Sequence, residues 1–326
     1  MTLYTLYDLC LDVSQEVSDT EAVLDQLLLD LSCVRIRAAV RKPDLRLSVY
    51  RHTNRRWLPP MAREIFRADG FCGLEHGDDF YLTDGASLLH LQARQGQGEA
   101  HLAPAFWHKP LPLQRTFWAF SLLKLLRPRG FYSLHAAGLV TPAGRGVLIV
   151  GSSGSGKSTL TVGLVRQGWQ YLTDDAVLLR LHPVGVAALA LRKHCYVDTS
   201  ALATYTDLPW GEEVLDRSGR HRRQLRLTDA YPDRLISHCL PQMLLFACIV
   251  PAAESTVRRL DRLSALKHLL AQSGPQLFDH SSMVQHLEVL NRLVQQTTTY
   301  ELRAGGDLYQ QPGLLAHLLD EAEKET

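Results

Sequence analysis

The chain has 326 residues, 46% of them apolar and 21% charged, a balance ordinary for a globular protein and long enough for one large domain or two smaller ones. Its 35 basic and 34 acidic residues leave a formal net charge of +1, so no global field draws it to nucleic acid or to an anionic membrane. Six scattered cysteines without a CxxC pair read as buried thiols, which argues against a thiolate metal site or a disulfide framework.

Met1-Thr2-Leu3-Tyr4 carries no basic n-region, and Asp8 precedes any sustained apolar run. With no apolar stretch of membrane-span length elsewhere, a cytoplasmic protein without membrane contact is expected. Over residues 4–97 short alternating runs predict half-buried strands: Leu9-Cys10-Leu11-Asp12-Val13, Val34-Arg35-Ile36-Arg37, Leu45-Arg46-Leu47-Ser48-Val49 and Phe80-Tyr81-Leu82. Turn signals such as Lys42-Pro43-Asp44 separate them, and residues 19–31 suit one helix. The reading is a small β-rich (α+β) domain over 1–112. Three prolines punctuate 104–112, and residues 117–126 then form an apolar helix closed by Arg127-Pro128-Arg129-Gly130. A second, α/β domain is assigned to 113–326.

That second domain opens with a strand over 132–140, a turn at Thr141-Pro142-Ala143-Gly144 and the apolar strand Val147-Leu148-Ile149-Val150. Directly after it comes Gly151-Ser152-Ser153-Gly154-Ser155-Gly156-Lys157-Ser158-Thr159, which fits the phosphate-binding pattern G-x-x-x-x-G-K-[ST]. Backbone N–H groups can wrap a polyphosphate only where the chain turns tightly, and Gly151, Gly154 and Gly156 allow that. Lys157 is read as the ligand of the β and γ phosphates and Ser158 as a ligand of Mg²⁺. A following helix over 160–166 would add its N-terminal dipole. The motif predicts binding of a nucleoside triphosphate.

Downstream, Gln167-Gly168 ends the helix, and Trp169-Gln170-Tyr171-Leu172 forms a short strand leading into Thr173-Asp174-Asp175. Further strands are expected over 176–181, 184–191, 244–250 and 298–303, with helices over 263–271, 283–294 and 314–323. Asp174 and Asp175 return to the edge of the sheet that carries the loop. One carboxylate could bind Mg²⁺ while the other takes the proton of an attacking hydroxyl, the alternative being a turn or helix cap. His135 is either a hydrogen-bonded structural residue or a neighbour of the loop. Five arginines in 217–226 predict a basic loop that closes over phosphates or is simply solvated, with Arg222 and Arg223 the better candidates and Arg192-Lys193 a second basic pair.

Together, Leu134-His135-Ala136-Ala137-Gly138-Leu139-Val140, the loop, and Gly168-Trp169-Gln170-Tyr171-Leu172-Thr173-Asp174-Asp175 resemble the catalytic domain of HPr kinase/phosphorylase and its relatives over residues 131–320. The segment Leu245-Phe246-Ala247-Cys248-Ile249-Val250-Pro251 is similar to the wider branch of these proteins. The resemblance implies a phosphoenolpyruvate-carboxykinase-like P-loop kinase domain that transfers the γ-phosphate of ATP to a serine hydroxyl of a peptide or protein. By position it makes Lys157 the γ-phosphate ligand, Ser158 and Asp175 the metal side, Asp174 the base, and His135 a neighbour of the transferred phosphate; spacing leaves the division between the aspartates open. Two departures stand: residues 183–197 hold no acidic residue to match the family's downstream glutamate, and the N-terminal domain is unlike the bacterial regulator's. Kinases of precursor peptides in lasso-peptide clusters are similar in size and division. The alternatives are a small-molecule hydroxyl kinase, a nucleotide-gated binding protein and, least favoured, a motor-type ATPase, because the 244–250 strand ends without an Asp-Glu pair. A homo-oligomer is left open.

Overall fold

The computed structural model describes residues 2–16, 21–37, 42–51, 58–191, 195–199, 205–215, 219–273 and 282–324. It is a mixed α/β protein with several sheets, in two compact units: Met1–Phe131 with Phe278–Ser282, and Tyr132–Leu277 with Met283–Thr326. Among the described residues no helix is long and apolar enough to cross a membrane.

The first unit holds β1 (Thr2–Leu6), β2 (Leu9–Gln15), β3 (Val34–Ile36), β4 (Leu45–Arg51), β5 (Arg63–Ala68), β6 (Phe71–His76), β7 (Asp79–Thr83), β8 (Leu88–Gln92) and β9 (Gln97–Leu102), with helices α1 (Glu21–Asp30) and α2 (Leu111–Leu126). The strands form one sheet in the order β3-β1-β2-β4-β9-β8-β7-β6-β5. Helix α2 is the apolar helix expected near the domain boundary, and it belongs to this unit. Phe117 lies 5.6 Å from Phe71, Phe120 lies 5.1 Å from Phe66, and Arg115 makes a buried ion pair with Asp30 at 2.9 Å. The division therefore falls after Phe131 and not at 112/113, because the helix buries its aromatic face here.

The second unit contains β10 (Tyr132–Leu134), β11 (Ala136–Val140), β12 (Gly146–Val150), β13 (Gln170–Thr173), β14 (Val177–His182), β15 (Gly185–Ala190), β16 (Cys195–Asp198), β17 (Trp210–Leu215), β18 (His221–Leu225), β19 (His238–Cys239), β20 (Pro241–Ile249), β21 (Thr256–Arg259) and β22 (Thr298–Ala304). Its helices are α3 (Lys157–Arg166), α4 (Leu227–Ala230), α5 (Arg262–Gln272), α6 (Met283–Gln296), α7 (Gly306–Gln310) and α8 (Leu314–Lys324). The main sheet runs β13-β11-β12-β20-β22-β21, with β12, β20 and β22 parallel. Both faces are covered, which is why its central strands read as unbroken apolar runs. Val147 and Ile149 pack with Leu160 and Leu164 of α3 and Leu315 of α8, whereas Leu148 and Val150 pack with Leu269 of α5 and Leu290 of α6.

Two sequence expectations change. The strand over 132–140 is in fact two strands in different sheets, because β10 joins β14 and β11 joins β12 and β13. His135 is the break, and its backbone N–H donates to Gln272 O, at 3.1 Å. The basic stretch is no loop across residues 221–225: β18 is the middle strand of β16-β18-β17. Arg217, Arg192 and Lys193 lie outside the described residues.

Candidate active site

The glycine-rich loop begins where β12 ends, walled in by neighbouring strands. Gly151 lies close to Ala247 O and Ser155 Oγ, which leaves no room for a side chain. Gly154 and Gly156 both have φ +84°, the left-handed conformation that glycine adopts without strain. Gly156 also precedes α3 with no side-chain cap, so the first N–H groups of that helix open towards the loop. Ser155 is buried, and its Oγ has no hydrogen-bond partner among the described residues.

Lys157 is folded back into this cradle and is only 6% exposed. Its Nζ donates to Gly151 O (2.7 Å) and Ser152 O (3.0 Å) and lies 3.0 Å from His135 Nε2. Burial holds the ammonium below the usual lysine range, opposed by the charges of Asp174 and Asp175. With Lys157 donating as an ammonium, Nε2 accepts, which assigns the ring proton to Nδ1. That nitrogen is 3.1 Å from Asp175 Oδ1. A continuous chain Lys157–His135–Asp175 follows.

The two aspartates, adjacent in sequence, have opposite environments. Asp174 is 1% exposed, and its Oδ2 accepts from Ser158 Oγ at 2.7 Å. Its Oδ1 is buried with no partner among the described residues. Burial, and next the charge of Asp175, push its carboxyl up to about 6, against the Ser158 hydrogen bond and the charges of Lys157 and Arg222. Asp175 has a side chain 43% exposed, at the edge of a cavity of about 390 Å³. It holds φ +70°, a strained position for a non-glycine residue, in the tight turn where Ala176 N donates to Asp174 O.

The cavity also takes in Ser153, Gly154, Gly156, Lys157, Ser158, Thr159 and His135, so the loop, the histidine and the exposed aspartate are brought together. Gly151, Ser152 and Ser155 do not line it; the carbonyls of Gly151 and Ser152 instead hold Lys157 Nζ from behind. Arg222 reaches Ser153 Oγ with Nη2 (3.5 Å), but Arg223, one residue on, points away and lies 3.6 Å from Glu213 Oε2. Strand alternation separates them, so Arg223 does not join the site. Arg220, which the sequence reading did not single out, takes that place with Nη2 3.3 Å from Ser153 Oγ. Tyr196 and Asp198 on β16, with Ile249 and Tyr309, complete the wall. Only Arg220 had a sequence signal: its i, i+2 spacing from Arg222 along a strand.

Among the described residues no group of three His, Cys, Asp or Glu forms a ready metal cage. Mg²⁺ needs none when phosphates and water supply most of its oxygens. The unpartnered Asp174 Oδ1 beside Ser158 Oγ is a donor set of the kind that ion takes.

No protein-family model matches the chain, and no curated protein matches it. The solved structure of the Hpr(Ser) kinase/phosphatase from Coxiella burnetii is similar to it with a TM-score of 0.31 and 14% sequence identity, over 59% of this chain and 97% of that one.

Proposed function

We propose that the protein is an ATP- and Mg²⁺-dependent phosphotransferase whose P-loop, residues 151–159, presents the γ-phosphate to a serine hydroxyl of a peptide or protein, a ribosomally made precursor peptide included. One observation carries this reading: a single aspartate pair divides into a carboxylate buried against the loop serine and another open to the cavity against His135. A protein that only binds nucleotide has no use for the second.

The division also reverses the expected roles. Asp174, covered by Ser158, is suited to the metal side rather than to a base, because an acceptor hydroxyl cannot reach a carboxylate that is 1% exposed. When bound, Mg²⁺ would be held by Ser158 and Asp174 and would neutralise charge on the β and γ phosphates. Asp175 accepts the proton of the acceptor hydroxyl as its oxygen bonds to the γ phosphorus and ADP departs. His135 Nδ1–H fixes that carboxylate, and Lys157 exchanges backbone carbonyls for phosphate oxygens. The charge-assisted bonds of Arg220 and Arg222 to Ser153 lie where a triphosphate would replace them.

Incubating the protein with γ-labelled ATP, Mg²⁺ and serine-containing peptides is expected to label serine. Label found only on small molecules of a metabolite extract would overturn the peptide acceptor, and no transfer to any hydroxyl would leave a nucleotide-binding protein. The arginines give a sharper internal contrast. Arg222→Gln is expected to slow transfer by on the order of 10²–10³, the usual effect of removing one donor to a developing oxyanion. Arg223→Gln, directed at Glu213, should hold the wild-type initial rate within about twofold, since surface ion pairs carry little. Equal losses in the two variants would remove the arginines from the site.

A further inference from the structure

We propose that Ile249 and Tyr309 form the nucleoside wall of the cavity, taking the base and ribose of a nucleoside triphosphate whose phosphates lie on the loop. The inference rests on the proposed function and adds the part of the ligand that the loop cannot read.

Sheet order gives the direction. Asp174 and Asp175 follow β13, on one side of β12 in the order β13-β11-β12-β20-β22. Lys157 Nζ turns towards His135, which adjoins Asp175, so the γ end of a bound triphosphate lies on that side. The nucleoside must then leave towards β20 and β22. Both run parallel to β12, so their carboxyl ends open beside the loop, the place where open parallel sheets take their ligands.

Two side chains wait there, and each has a feature that folding alone leaves unused. Ile249 closes β20, lines the cavity and is 53% exposed, so its side chain is open to a ligand there. Tyr309, on α7 just after β22, lines the same cavity while its Oη is buried without a hydrogen-bond partner among the described residues. The phenol lies directly on the loop: a methyl group at Gly156 would collide with Oη and come within 3.2 Å of Ile249 Cδ1. Burial pushes that phenol up to about 12, so it stays a neutral donor. An aromatic ring with one unused hydroxyl, beside an aliphatic side chain on the same wall, suits a flat heterocycle and its sugar.

The test compares ATP with inorganic triphosphate, which has the phosphates but no nucleoside, by titration calorimetry on the full chain with Mg²⁺. Tyr309→Ala is expected to weaken ATP at least tenfold and to leave triphosphate within about twofold, as loss of one base-stacking ring does. Ile249→Ala, at an exposed position that does not hold the fold, should show the same selectivity at smaller size. Parallel weakening of both ligands, or of neither, by both variants would overturn the inference while leaving the phosphate site intact. A wild-type chain that binds neither ligand would instead overturn the proposed function itself.

Discussion

Asp175→Asn is expected to lower kcat for phosphate transfer by about 10²–10⁴, the range general-base catalysis contributes, with the Kd for ATP nearly unchanged. The carboxylate faces the cavity and is oriented by His135 Nδ1 at 3.1 Å, so the asparagine keeps its size while losing the ability to take a proton. Binding should survive because the groups proposed to hold the phosphates, Lys157 and the loop amides, and the proposed metal ligands Ser158 and Asp174 are untouched. Single-turnover rates and equilibrium ATP binding separate the two effects. A variant that transfers as fast as the wild type would exclude Asp175 as the base, and one that loses ATP binding in parallel would make it a ligand of the nucleotide.

What the sequence disclosed and what it hid have a common physical explanation. The strand-loop-helix that forms the cradle is contiguous in the chain, and the glycines at 154 and 156 are needed for their own backbone conformation, so both were legible. Asp174-Asp175 was legible as a pair with two roles, but not which carboxylate takes which, because the difference is burial: one carboxylate lies under Ser158 and its neighbour is turned out through a left-handed residue. His135 was misread as mid-strand because apolar residues on both sides of it continue one pattern across two sheets. The helix after the prolines was found correctly, yet its allegiance to the first unit depends on which aromatic rings it meets. Tyr309 left no local trace, and Ile249 showed only as part of the apolar 244–250 strand. They reach the loop only because β20 and β22 are hydrogen-bonded in sequence beside β12.

Asp174→Asn is expected to abolish transfer and, without nucleotide or metal, to make the protein more stable at neutral pH. Burial, and next the charge of Asp175, push the native carboxyl up to about 6 from an ordinary 3.8, so the folded state binds its proton more tightly than the unfolded chain. The stability it contributes is complete below about pH 4 and is lost as pH rises through about 6. A gap of 6 − 3.8, at about 1.4 kcal/mol per pH unit, means that ionising it costs about 3 kcal/mol at pH 7.5. Asparagine keeps an acceptor for Ser158 Oγ and carries no charge to desolvate. Denaturant unfolding should therefore show a gain approaching 3 kcal/mol at pH 7.5 that shrinks through pH 6 and disappears by about pH 4. A loss of stability at pH 7.5, or a gain independent of pH, would contradict the buried-carboxylate account. With Mg²⁺ and ATP the order should invert: a cation placed on Oδ1 stabilises the wild type through that same charge, and the asparagine variant gains far less. A carboxylate that weakens the empty fold and strengthens the loaded one is what a ligand site requires, and a merely structural aspartate would not give that crossing.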